Sequence, residues 1–378
     1  MKIAIIGAGI GGLTAAIALR RAGHEVEIFE QAGEIAPMGA ALSIWPNALA
    51  ALDEIGLGEP LREIAQPFND AGVADWRGRD INRFAVSDVA DGQRACLPTR
   101  TQLQKLLLDH LGDIPLHLGC HLVRQVESND AVTLVFENRT EASFDMLVAA
   151  DGIWSKTALC VEDNKPAYAG YGGILAISGS VPGHPSAMRC TEYWGKGERI
   201  GIFDLNDDRK YWFYMKTGCR DEEARSLTTA ILAKNIQGWP KEIAATVQAT
   251  DDADLIPFVI HAKRKPSRLA QGRILLVGDA GHAMEPNMGQ GACQAIEDGV
   301  TLGALSRRTE DAIALGEAYQ QQRLSRVREF VAMSAQGSIA AHKLPHMLIT
   351  PTHAVMRAIF PALAKRQIGK LFQWHSPA

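Results

Sequence analysis

Two aspartates in this chain stand where an apolar run breaks into a glycine turn. "MLVAADGIWS" (146–155) breaks at Asp151-Gly152, and "ILLVGDAGHAMEP" (274–286) breaks at Gly278-Asp279. A third apolar run, "KIAII" (2–6), breaks into the glycine-rich "GAGIGG" (7–12). In a doubly wound parallel sheet, ligands collect at the carboxyl ends of strands, so all three breaks can serve one extended ligand. Aspartates also favour turns for local reasons, which explains either one alone better than the pair. A second glycine-rich turn, "PNMGQG" (286–291), opens another helix far down the chain. Its helix N-terminus would stabilise negative charge that develops on a ligand.

The elements around the first turn give it a definite chemistry. Lys2 to Ile6 reads as a buried parallel strand, "LTAAIALRRAG" as a helix closed by Gly23, and "EVEIFEQ" as the next strand, ending at Glu30 and Gln31. Gly7 permits the tight turn, Gly9 lets backbone approach a pyrophosphate, and Gly11 and Gly12 open a helix that packs closely on the strand. Glu30 sits where a carboxylate accepts from a ribose hydroxyl, which suits FAD or NAD better than NADP. The second turn then discriminates between the two. A reduced flavin carries negative charge at its N1–C2=O edge, whereas a nicotinamide offers no comparable anion. The residues read as an FAD site with its two ends at 7–12 and 278–291.

Between these ends, "CLPTRTQLQKLLLDHL" (96–111) reads as an amphipathic helix with Thr99 or Thr101 at its start and Arg100 at its mouth, where a cation could meet a phosphate. Residues 166–264 change character to aromatic-rich strands with turn residues between them, including "NDDR" at 206–209, and "LTTAILAKNIQGWP" is a helix behind them. Aromatics are ordinary strand formers. They also line pockets, and strand alternation puts Arg199, Gly201 and Phe203 on one face, with Gly201 leaving room beside a lone cation. Residues 340–378 read as amphipathic helix punctuated by Pro351 and Pro361, capping an interface rather than lying on a membrane.

Bulk properties narrow the function classes. The chain has 378 residues, 22% of them charged, and a net charge of −4 with Lys and Arg scattered, so no nucleic-acid surface is indicated. Six cysteines lie far apart without a C-x-x-C pair, which favours a reducing cytoplasm over a disulfide framework or zinc site. The histidines show no metal spacing. No apolar run is long enough for an integral membrane segment, and glycines interrupt the opening run, which reads as a strand and turn rather than a secretion signal.

Taken together, "GAGIGG" with Glu30, "ADGIWS" (150–155) and "GDAGHAMEPNMGQG" (278–291) resemble the fingerprints of the single-component flavoprotein aromatic hydroxylases, the family of para-hydroxybenzoate and salicylate hydroxylases. "GAALSIWPNALAAL" (39–52) and "PTRTQLQKLL" (98–107) also match. Within the family the FAD-dependent urate hydroxylases look especially similar, with Leu175 standing where they place an asparagine. The resemblance implies an α/β fold: a Rossmann-like FAD-binding domain (1–70, 97–165 and 265–335), an antiparallel-sheet substrate domain (71–96 and 166–264) and a C-terminal helical segment (336–378). It implies a monooxygenase in which NADH or NADPH, bound transiently, reduces FAD. Dioxygen then adds at flavin C4a, and its distal oxygen passes to an aromatic or heteroaromatic ring, acidic or enolic in character.

By position, the resemblance gives Glu30 the adenosine ribose, Arg100 the ribityl-pyrophosphate region, Asp151 the FAD site and the nicotinamide groove, and Asp279 a ribityl hydroxyl. Gly289, Gln290 and Gly291 would meet the pyrimidine edge of the flavin, and Ser43 the adenosine side. Pro286 would pack beside the substrate and the reacting flavin face, with Arg199 and Tyr211 in the substrate pocket. A flavin reductase on the same fold, or a flavin-binding protein without turnover, are the alternatives that the residues leave open.

Overall fold

The strand Lys2–Ile6 lies inside a six-stranded sheet, because its side chains are apolar toward both faces. It pairs in parallel with Glu25–Phe29 on one side and Met146–Ala149 on the other. Met146–Ala149 pairs in parallel with Ile274–Leu276, so the strands that end at Ile6, Ala149 and Leu276 are neighbours and point the same way. Leu116–His117 closes one edge and Ala270–Gln271 the other, the latter antiparallel. The computed structural model describes residues 1–36, 39–181, 183–184 and 187–377, with the side chains of His346 and of 360–367, Pro361 among them, outside the description.

Both faces of this sheet are covered. The helices Ile10–Arg21 and Gly291–Ser306 pack on one face, around Ile3, Ile5, Leu13, Ile17, Val148, Ile296 and Val300. They approach closely because glycines stand at the contact: a Cβ on Gly303 would lie 2.6 Å from that of Ala18. On the other face, Ala4, Ile6, Leu147 and Ala149 meet Val132, Leu134, Phe136 and Phe144 of a three-stranded antiparallel sheet.

A seven-stranded sheet forms the second layer, in the order Ile256–Ala262, Ala167–Ile177, Lys210–Thr217, Glu198–Asp204, Arg189–Trp194, Asp70–Asp75 and Asp80–Ala85. It is antiparallel throughout except where Arg189–Trp194 runs parallel to Asp70–Asp75. That exception departs from the expected all-antiparallel sheet, and it arises because the early segment 70–85 inserts at the edge of strands that follow 167. Alternation divides the residues by face. Ile174, Ala176, Ile200, Ile202, Trp212 and Tyr214 pack outward against the helices Thr229–Asn235 and Lys241–Gln248. Tyr171, Phe203, Phe213 and Met215 face inward, toward Ala41, Phe68, Leu97 and Phe372.

Two expectations shift. The helix expected over 96–111 begins at Arg100; Ala95–Leu97 instead pairs with Gln66–Phe68 as a short strand, and Thr99 closes a capping box with Gln102. Pro98 separates the two elements, since the residue before a proline is driven to extended backbone. At the far end, His346–Phe372 is one helix that runs through Pro351 rather than breaking there. A proline in a helix removes one hydrogen bond and can bend it without ending it. The helix packs on Asp80–Ala85 and on Val86–Val89. Among the described residues no helix is long and apolar enough to cross a membrane.

Candidate functional site

Gly7 adopts φ +104, and a Cβ there would strike the carbonyl of Ala150 and lie 3.1 Å from the Cα of Asp151. The first turn and the Asp151 turn are therefore in direct contact. Gly9, which precedes the helix, has nothing within 4 Å of the place a Cβ would take, and no side chain caps the helix there. The turn is closed on its protein side and open on the other, as a backbone that must approach a phosphate requires. The Glu30 carboxylate lies in the same turn, receiving the Ala8 N–H at 2.8 Å and the Ala32 N–H at 2.9 Å. Each oxygen keeps a lone pair for a further donor. Gln31 is exposed beside it. Arg100 is exposed at the first position of its helix, its Cδ 3.3 Å from where Gly39 would carry a Cβ.

The two aspartate turns come together around a residue that the sequence did not single out. Lys263 is buried, and its Nζ donates to the Ala280 carbonyl at 2.5 Å. Burial lowers its pKa, while the charges of Asp151 and Asp279 oppose that shift. Burial raises the pKa of Asp151, against the nearby Ser155 and Thr157 hydroxyls and the charge of Lys263. Asp151 Oδ2 receives the Thr157 hydroxyl at 3.2 Å, whereas Oδ1 is out of solvent without a partner. Asp279 is exposed at the first position of the short helix Asp279–His282. Trp154, just beyond the Asp151 turn, is 63% exposed with its ring edge against His261.

Buried ion pairs fix the second glycine turn. Asp298 Oδ2 receives the Gly278 N–H at 2.9 Å and His282 Nε2 at 2.6 Å, and its Oδ1 receives Arg323 Nε at 2.7 Å. Burial alone would push the Asp298 carboxyl up, yet His282 and Arg323 hold it down at about 2. Glu297 takes Arg323, Arg326 and Asn47. Gly289 adopts φ +60 between the turn Pro286–Met288 and the helix that starts at Gly291. The side chain of Gln290 points into the protein, where it receives Asn47 Nδ2 at 3.0 Å, so that only backbone of 289–291 faces outward as the helix start. Pro286 is exposed at the head of this loop.

Ser43 lies elsewhere than expected. Its Cβ is 3.4 Å from where Gly289 would carry one, and its carbonyl receives Cys293 Sγ. It therefore lies against the 286–291 loop rather than on the expected adenosine side, its segment held by bridges from Ala41 to Thr99 and from Ile44 to Cys96. Trp45 is its neighbour, with Nε1 buried and unpartnered and its ring stacked on Phe372 at 4.8 Å.

Across from that loop stands the inner face of the seven-stranded sheet. Tyr171 connects the two, since its hydroxyl donates to Glu285 Oε2 at 2.9 Å, next to Pro286. Arg199 is buried at 1% exposure, its guanidinium carbon 5.5 Å from the Tyr171 ring and 5.4 Å from the Phe213 ring. It is not a lone cation: Nη1 donates to Glu192 Oε2 at 3.3 Å and Nη2 meets Met215 Sδ at 3.1 Å, while Nε is buried without a partner. The space at Gly201 is filled by the rings of Phe213 and Phe203 rather than left open. Tyr211 lies on the same face, 5.4 Å from the Phe203 ring; burial first and Glu192 second raise its pKa, with Arg199 opposing. Leu175 is half-buried beside Phe213.

Comparison with known proteins shows the family and the fold. The FAD binding domain family matches residues 1–334. The FAD-dependent urate hydroxylase of Klebsiella pneumoniae subsp. pneumoniae is 35% identical over 343 residues, 88% of each chain. The aurachin C monooxygenase/isomerase of Stigmatella aurantiaca is 33% identical over 341 residues, again 88% of each. The crystal structure of Klebsiella pneumoniae HpxO complexed with FAD and uric acid superposes with a TM-score of 0.90 at 31% identity, covering 98% of this chain and 96% of that one.

Proposed function

The chain belongs to the FAD binding domain family, and from that premise we propose that it is an FAD-dependent monooxygenase. It uses NAD(P)H and dioxygen to hydroxylate an aromatic or heteroaromatic small molecule. One observation carries the reading: a buried arginine with a free Nε lies on an aromatic sheet face opposite the Pro286–Gly291 loop. A reductase or carrier has no need of a buried arginine with an unspent donor beside the flavin end of the site.

The residues present suit FAD. The open side of Gly9 admits a pyrophosphate, Glu30 is oriented for a ribose hydroxyl, and Asp279 stands exposed at the junction of the two turns. Residues 1–70, 97–165 and 265–335 would make up the FAD-binding part. Bound FAD supplies the redox and oxygen chemistry, and the protein supplies position, dryness and charge placement. The N-terminus of the Gly291 helix aims its dipole at the loop, where it stabilises negative charge. Arg199 Nε offers one directed donor to the ring substrate, with Tyr211 close by on the same face. Phe203, Phe213 and Leu175 keep water from the ring's other contacts. The exposed Trp154 beside the Asp151 turn fits a groove in which the nicotinamide cofactor docks transiently. Six free thiols fit a reducing compartment such as the cytoplasm.

The test is a panel of aromatic and heteroaromatic rings scored for stimulation of NAD(P)H oxidation, with hydrogen peroxide measured beside oxygenated product. A true substrate accelerates oxidation and yields product; a near miss accelerates it and releases peroxide, because water enters a poorly closed site. Oxidation that no ring alters, without oxygen consumption, makes the chain a reductase.

A further inference from the structure

The helix His346–Phe372 has two apolar faces, and the fold uses one of them. Inward, His353 is buried with its ring 6.2 Å from that of Trp194, and Met356 joins the cluster of Ile81, Trp194 and Ala341. Arg357 Nε donates to the Asp80 carbonyl at 2.7 Å, and Ile368 and Phe372 pack into the inner face of the seven-stranded sheet. The other face is turned to solvent. Met347 is 83% exposed and Val355 55%, with Leu348, Pro351 and Ile359 exposed in the same row. Positions 348, 351, 355 and 359 recur at the spacing of one helix face. Single exposed apolar residues are ordinary, but an amphipathic helix turns its apolar stripe to the core, so an outward row asks for an occupant. The capping expected of this segment accounts for one face and leaves the other in solvent.

The charge around the row is one-sided. After Glu329 the chain carries Lys343, Arg357, Lys365, Arg366 and Lys370 and no aspartate or glutamate, although its net charge is −4. Lys343 and Arg357 are exposed toward the two ends of the row. The carboxylates of the strands beneath are already spent, Asp75 on Arg79 at 2.7 Å and Asp80 on Arg83 at 3.0 Å. An apolar stripe flanked by cations alone fits the boundary of an anionic bilayer: the stripe enters the acyl edge and the cations meet phosphate. A second copy of the chain fits less well. Thirteen residues of helix span about 20 Å by about 10 Å, a footprint of about 200 Å² against the roughly 800 Å² per partner of a stable interface. Facing copies would also set like charges together.

We infer that the outer face of His346–Phe372 seats the protein reversibly on an anionic lipid surface. The seat adjoins the pocket proposed for the substrate, because the turn Ile339–Lys343 that leads into the helix stacks His342 on the Tyr171 ring at 4.1 Å. The inference goes beyond the hydroxylase reading and does not depend on it.

The experiment spins full-length, FAD-loaded protein with sucrose-loaded vesicles of phosphatidylcholine, alone or mixed equally with phosphatidylglycerol, at about 0.05 M and about 0.5 M salt. At low salt, partition onto the anionic vesicles is expected to exceed that onto phosphatidylcholine by at least about tenfold, and high salt to remove most of the difference. Val355→Glu with Ile359→Glu should cut binding by at least about tenfold, and Arg357→Gln by about fivefold. Met347→Ser with Leu348→Ser repeats the test at the other end of the row, should the first pair lose FAD or its circular dichroism signal. Equal binding to both vesicles, no binding to either, or binding that both pairs of substitutions leave intact overturns the inference. A wild-type dimer that ignores vesicles and that Val355→Glu dissociates in sedimentation equilibrium also overturns it, and makes the face an interface between copies.

Discussion

Asp298 Oδ1 and Arg323 Nε meet at 2.7 Å with both side chains out of solvent, and the same carboxylate receives the backbone of Gly278. The ion pair thus holds the turn that presents Asp279. Asp298→Asn leaves Arg323 and His282 facing a neutral amide. Breaking one side of a buried pair costs about 3–5 kcal/mol. Chemical denaturation should show a loss in that range together with weaker FAD retention; a loss under about 1 kcal/mol would mean that the turn is held by packing alone.

Arg199→Met should lower stability by about 1–3 kcal/mol as well as weaken substrate binding, because it strands Glu192 against an apolar neighbour. Adding Glu192→Gln should recover much of the stability but not the substrate affinity. A double-mutant cycle reads the coupling directly. Additive effects would show that the two groups do not interact in solution.

His342 carries a pH dependence. Its pKa is depressed in the folded chain to about 3, from an ordinary value near 6.5, by burial first and by Arg199. Between those values the unfolded chain binds the extra proton, so this contribution is complete above about pH 6.5 and is lost as pH falls toward 3. The limiting slope is about 1.4 kcal/mol per pH unit. Thermal melts from pH 7 to pH 4.5 should fall less steeply for His342→Phe, which keeps a ring on Tyr171 and removes the titration. Parallel curves for the two proteins would refute the assignment.

FAD retention should respond separately to the two ends of the site. Glu30→Ala and Asp279→Ala each remove a charged acceptor, worth about 1.5–3 kcal/mol, or roughly 10- to 100-fold in the FAD dissociation constant. Fluorescence titration of the apoprotein measures it. Wild-type affinity in either variant removes that residue from the cofactor site.

Much of the cofactor end was legible in the sequence, and the reason is local. A β-branched run that stops at glycine fixes both a strand and its ligand-bearing end, so Gly7, Asp151 and Asp279 could be placed on one sheet edge before any tertiary contact was known. The Gly291 helix announced itself in the same way. What depends on distant segments meeting was not legible. Lys263 reads as one lysine in a basic stretch until its strand brings it between the two aspartate turns. Glu192 is one polar residue in a strand-forming run, and only the pairing of Arg189–Trp194 with Glu198–Asp204 sets it beside Arg199. Ser43 lies against Gly289 through a contact between segments far apart in the chain, which no local pattern encodes.

In the proposed reaction, oxygen from dioxygen enters a ring bound against Arg199. The most direct measurement supplies NAD(P)H and the best ring from the panel under isotopically heavy dioxygen, then weighs the product. Incorporation of one heavy oxygen atom per product molecule, in step with NAD(P)H consumed, is the predicted result. NAD(P)H consumption with the ring recovered unlabelled, for every ring that perturbs the flavin, would contradict it.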